Sequence, residues 1–269
     1  MPLIEVRRII RLRLTFERLV PLLGYHHILM IFIILAIILL SLLLAGCSSS
    51  SPLIPSIFLI NLFYNHYAPV YSTAQVDPEA ARAIGNIVAN AMLEARVGYF
   101  GICINPDGGS WLCSNNASSL AAQVSVDQDP LNLIWVSDTF RDSIVFPYLL
   151  IVAILLATIV LVMLATFPTY NSEEERMPSR FVSQIALAII FISAIFVLVS
   201  VLWQVRISQQ KSATIAENLG NGSIQTGVGV TALVLGWFGF ALLILVTIGL
   251  LVMILSRNLV DKQIVDDDE

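Results

Sequence analysis

Few side chains in this chain are placed to do chemistry together, and most of those fall in one stretch. Cys103 and Cys113 are separated by nine residues, with Trp111 two before the second cysteine. Outside the cytoplasm two cysteines this close are expected to pair, and closing so short a loop stabilises by roughly 2–3 kcal/mol in the chain-entropy account. Asn105-Pro106-Asp107-Gly108-Gly109 supplies turn chemistry between the two limbs. Gly98 and Gly101, just upstream, allow close backbone approach or positive φ beside the bridge. Zinc would need further ligands, and His66 is the one histidine in this stretch. Asp127, Asp129 and Asp138 match positions 1, 3 and 12 of an EF-hand, but Leu131 and Asn132 stand at positions 5 and 6, where a ligand and a glycine are needed. The scattered carboxylates therefore read as a solvated face. Ser48–Ser51 form a low-complexity run without a base or acid partner, and His26 and His27 read as interfacial residues. No catalytic residue, metal ligand or cofactor follows from this set, and an enzyme is not expected.

The elements that must carry the pair are set by composition. Of 269 residues, 57% are hydrophobic and 12% charged, about half the charge of a soluble domain. The net charge of −5 argues against a nucleic-acid partner. The sequence predicts an all-α membrane bundle of four transmembrane helices, near Ile28–Gly46, Ile144–Phe167, Phe181–Trp203 and Val228–Leu255. No Asp, Glu, Lys, Arg or His falls within them. Ala153 and Ala157 make a small-xxx-small pair on the second. Tyr25, Tyr148, Tyr170 and Trp203 sit at span ends, as in aromatic belts.

Arg7, Arg8, Arg11, Arg13 and Arg18 precede the first span and place both termini in the cytoplasm. The predicted order is a cytoplasmic N-terminus (1–27), a large extracellular loop (47–143), a cytoplasmic loop (168–180), a second extracellular loop (204–227) and a cytoplasmic acidic tail (256–269). The large loop holds eight acids against three arginines. Asn116-Ala117-Ser118 and Asn221-Gly222-Ser223 are glycosylation acceptors, one in each outer loop. Leu43-Leu44-Ala45-Gly46-Cys47 imitates a lipoprotein cleavage box, but the apolar stretch before it is too long and begins too late for a signal peptide. Cys47 thus reads as an ordinary residue at the outer end of the first span. The short run Ile57–Phe63 is expected as a strand or interfacial segment. Asp77-Pro78 opens a helix expected to run to about Arg96, with Ile84, Ile87, Val88, Ala91, Met92 and Ala95 as its core-facing stripe.

The series Gly98, Tyr99, Phe100, Gly101, Cys103, Trp111 and Cys113, after the first of four spans, resembles the fungal calcium regulator and membrane fusion family. These are pheromone-induced, claudin-like tetraspan proteins. Asp129–Ile134, continuing through Phe140-Arg141-Asp142 to Phe146-Pro147-Tyr148, is also similar to fungal tetraspans. The resemblance implies a claudin-like, disulfide-bridged first extracellular loop with short β-strands. It also implies plasma-membrane location, regulation of low-affinity calcium influx, and promotion of membrane fusion during mating, cell fusion and polarised growth, with enrichment at projection tips or contact sites. The partners it admits are the lipid bilayer, a calcium channel or other membrane protein, and a homo-oligomer or trans contact at cell junctions. The alternative is an eisosome-type tetraspan ordering cortical domains and supporting the cell wall. A self-contained pore is disfavoured by spans without ionisable groups.

Overall fold

The computed structural model describes residues 25–64, 78–88, 91–166, 180–220 and 224–267. The N-terminal arginines, His66, Asp77, Tyr170 and Asn221 lie outside them. Four long helices carry the apolar sequence: α1 (Tyr25–Leu44), α5 (Tyr148–Ala165), α6 (Arg180–Gly220) and α7 (Val230–Asp267). Their apolar windows, His27–Leu44, Tyr148–Ala165, Phe181–Arg206 and Val230–Ser256, are each long enough to cross a membrane. Between α1 and α5 come β1 (Ile60–Tyr64), α2 (Pro78–Val88), β2 (Glu94–Val97), β3 (Ile102–Asn105), β4 (Leu112–Ser114), α3 (Ala117–Ala121) and α4 (Leu133–Ile144), and β5 (Ile224–Val228) lies between α6 and α7.

The described chain divides into two compact units. One comprises residues 1–37, 153–195 and 240–269, helical where described apart from the turn at Thr166. Its interior is apolar and small: Ile33, Ala36, Ala153, Ala157, Ala186 and Leu243 are fully buried. The Ser193 hydroxyl donates to the Ala153 carbonyl at 2.9 Å, so α6 lies close against α5 where the alanine pair leaves room.

The other unit comprises residues 38–152 and 196–239 and contains the sheet. Its strands are all antiparallel in the order β4-β3-β2-β1-β5. Four come from the segment between α1 and α5, while β5 comes from the segment between α6 and α7 and pairs with β1 from Ile60↔Val228 to Tyr64↔Ile224. Much of the stretch read as a second loop is therefore ordered: α6 runs on to Gly220, and Ile224–Val228 completes the sheet. Helix α4 covers the sheet, burying Leu133, Ile134 and Phe140 with Ile60, Leu62 and Ile104 in one core.

Two expectations need correction. The helix from Pro78 ends at Val88, and residues 94–97 form a strand instead. Leu93, Ala95 and Val97 are buried while Glu94 and Arg96 are half-buried, a period of two. As a central strand, β2 has partners on both sides, which outweighs the weak helical pattern of the same residues. Ile87 and Met92, assigned to the buried stripe, are 57% and 60% exposed. The run expected as a strand or interfacial segment supplies β1, shifted to Ile60–Tyr64.

Candidate functional site at the two ends of the sheet

The connection between β2 and β3 is Gly98-Tyr99-Phe100-Gly101, closed by the Gly98 N–H donating to the Gly101 carbonyl at 2.9 Å. Its backbone rests on the residues that follow α1. A Cβ on Gly98 would strike the Gly46 carbonyl oxygen, and one on Gly101 would strike that of Cys47. Both positions therefore need glycine for want of space. The close approach expected beside the bridge is made to this chain segment.

Cys47 accommodates the contact with a left-handed backbone, φ 56°. Its buried thiol donates to the Ile57 carbonyl at 3.6 Å, and burial pushes its pKa up to about 12 despite the opposing charge of Arg96. The next segment folds back on the same place, with the Cys47 N–H donating to the Ile54 carbonyl at 3.3 Å. Tyr99 is buried and its hydroxyl hydrogen-bonds with that of Ser200 on α6. Burial raises the Tyr99 pKa to about 12, partly offset by that bond. Phe100 is 43% exposed. The motif is thus a clamp: two glycines seat the turn, and Tyr99 reaches α6.

Cys103 and Cys113 face one another across β3 and β4 and are joined as a disulfide. On β4 the Cys113 N–H donates to the Ser50 hydroxyl at 3.0 Å, so the serine run ties down a sheet edge. The Trp111 ring carries the Arg96 guanidinium at 3.9 Å, and the Phe58 ring lies 4.8 Å from the same group. Arg96 also donates to Glu94 at 2.9 Å and to the Pro55 carbonyl at 3.1 Å. One cation thereby joins β2 to the residues before β4 and those before β1, each ring contact being worth about 0.5–2 kcal/mol.

Asp129 corrects the reading of the acids as a solvated face. It is buried at the start of α4, where its carboxylate accepts from Leu133 N–H at 2.7 Å and Ile134 N–H at 3.2 Å. These are N–H groups of the first helical turn, which have no partner within the helix. Tyr64 donates to the same carboxylate at 2.7 Å and accepts from Leu131 N–H at 2.9 Å. Burial and the Asp129 contact both push the Tyr64 pKa upward. Asp107 and Asp127 are exposed as expected.

These two acids border an open cleft of about 640 Å³, also lined by Ile87, Met92 and Val126. It lies at the other end of β3 from the clamp, beyond Asn105 and the turn at Gly108, whose φ is +73°. Gln128 donates to Asp107 at 2.8 Å and fixes one wall. Asn116 is exposed at the start of α3; its Oδ1 accepts from Ser118 N–H at 2.9 Å, leaving Nδ2 outside that cap.

Sequence reasoning missed the roles of Arg96, Tyr64, Asp129 and Ser50. The alternation Leu93-Glu94-Ala95-Arg96-Val97 was the available sign that Arg96 belongs to a strand; the Tyr64–Asp129 pair joins residues 65 apart and had none. Among the described residues no group of three His, Cys, Asp or Glu gathers to hold a metal. The arrangement can hold a sheet against helix ends and present a cleft at the far side.

A family model described as Ca2+ regulator and membrane fusion protein Fig1 matches residues 80–256, which include the glycine-cysteine series, the clamp's contact on α6 and strand β5. No individual curated protein matches the chain. With the match covering well over half of its length and four helices able to cross a bilayer, this multi-pass membrane chain belongs to the family of the Ca2+ regulator and membrane fusion protein Fig1.

Proposed function

We propose that the protein is a plasma-membrane organiser that regulates low-affinity calcium influx and promotes membrane fusion at sites of fungal mating and polarised growth. In this reading both termini are cytoplasmic and the sheet module is extracellular. The observation that carries it is the family match over a disulfide-bridged module joined to four membrane-crossing helices. Four strands from one inter-helix segment and one from the other make a single antiparallel sheet, which supports the claudin-like description. The N-terminal arginines support the sidedness. Asn116, exposed with Nδ2 outside its cap, is a suitable glycan acceptor in that topology.

A regulator of another channel fits better than a pore, because the apolar windows hold no acid and their basic residues, His27 and Arg206, stand at their ends, so nothing within guides a cation. The test is calcium uptake and cell fusion in a deletion strain, with and without pheromone, complemented by the wild-type chain or by Cys103→Ser. The expected result is loss of both activities on deletion, their return with the wild type, and failure of the cysteine variant to restore either. Normal uptake and fusion in the deletion strain would refute the proposal.

A further inference from the structure

We propose that Leu53 and Phe100 form a lipid-facing edge of the sheet module, seated in the headgroup layer of the bilayer that the helices span. The level of this edge follows from the clamp. Tyr99 reaches Ser200, three residues before Trp203 at the end of the span. At about 1.5 Å per residue that is roughly 4.5 Å below the span's end, so the tyrosine hydroxyl touches the top of the span while its backbone stays above. Gly98 and Gly101 lie against Gly46 and Cys47, the second and third residues past the window His27–Leu44. Two helices thus place the backbone of Phe100 at the end of the hydrocarbon, where the headgroup region adds roughly 5–7 Å on each side.

Leu53 reaches the same level by a separate route. The turn that bears it packs back on the end of α1: Cys47 N–H donates to Ile54, and the Ile57 carbonyl abuts Gly46. Leu53 is 79% exposed and Phe100 43% exposed. Leaving this apolar surface in water is unfavourable. The same unit presents other exposed aromatic side chains at its span ends: Tyr148 at 66%, Phe146 at 56% and Trp203 at 53%. Phe146 and Tyr148 meet edge to face at 5.5 Å. Leu53 and Phe100 lie at the level of these span ends, and that shared level identifies lipid as their partner. The surface adds a membrane contact to the proposed function and depends only on the membrane-spanning assignment.

The experiment uses the full chain in phosphatidylcholine vesicles, with a nitroxide attached at Phe100→Cys or Leu53→Cys. Tyr148→Cys serves as the belt reference and Val126→Cys, at the far end of the sheet, as the water reference. Cys47 is fully buried and Cys103 and Cys113 are paired, so the label goes to the introduced thiol. Collision with oxygen, which concentrates in lipid, is compared with collision with a water-soluble nickel chelate. The expected oxygen-to-nickel ratio at both positions matches Tyr148→Cys and stands severalfold above Val126→Cys. A ratio equal to that of Val126→Cys, or low accessibility to both reagents (a protein-covered site), would overturn the proposal. Should Phe100→Cys fail to fold, Leu53→Cys alone decides by the same criteria.

Discussion

The two ends of the sheet are built from the same strands and behave as opposites. At the clamp end, backbone rests on backbone, Cys47 and Tyr99 are buried, and two glycines are required by space alone. At the cleft end, Val126 is 83% exposed, Met92 60% and Ile87 57%, with carboxylates beside them. Only four residues of β3 separate the ends, about 13 Å of strand. The clamp end is committed to holding the module in place, and its substitutions should act through folding. The cleft end carries little of the fold, and its substitutions should leave stability intact.

The largest effect expected within this comparison comes from Gly98→Ala. The added methyl meets the Gly46 carbonyl and Cys47 Cβ, neither of which can swing away as a flexible side-chain tip could. Overpacking of this kind costs about 1–3 kcal/mol, so thermal unfolding of the detergent-solubilised chain should move to clearly lower temperature. Close behind comes Asp129→Asn, which keeps the shape but removes the charge that two helix N–H groups and Tyr64 address. Hydrogen bonds to a charged group are worth about 1.5–3 kcal/mol. The expected result is a loss near the lower figure, read by the same unfolding measurement, with the retained amide oxygen preserving part of it.

A smaller effect belongs to pH. Cys47 is raised from 9.0 to about 12 and Tyr99 from 10.0 to about 12, both chiefly by burial. For each group the folded state holds its proton more tightly than the unfolded chain. Their contribution is therefore complete below about pH 9 and is lost as pH rises towards about 12. Alkaline titration should loosen the clamp in this window, and Tyr99→Phe should reduce the part beginning near pH 10. The smallest effect is expected at the cleft. Val126→Ser should change stability by less than about 0.5 kcal/mol, as surface substitutions do; a loss as large as that of Gly98→Ala would erase the distinction between the ends.

How much of this was legible in the sequence depended on distance along the chain. The four apolar helices are local patterns, and so is the pair Cys103–Cys113 with its Asn105–Gly109 turn; all are present in the structure. The glycines signalled close approach, but not to what, because Gly46 and Gly98 are far apart in sequence and only the fold joins them. Strand β2 was concealed because Ala91, Met92 and Ala95 fit a helical stripe as well as a strand alternation. Neighbouring strands decided between the two. Asp129 looked like any exposed acid, since its partner Tyr64 lies across the module. The apparently featureless Ser50 acquired a role from the edge strand beside it.

The central claim is that the Gly98–Gly101 turn and the Gly46–Ile57 segment hold each other in place at the helix ends. Hydrogen exchange on the full chain in vesicles, wild type against Gly98→Ala, tests it directly. The account predicts that amides in both segments are protected in the wild type and lose protection together in the variant, while α5 is unchanged. Protection lost from the turn alone, with the Gly46–Ile57 segment as slow to exchange as before, would contradict it.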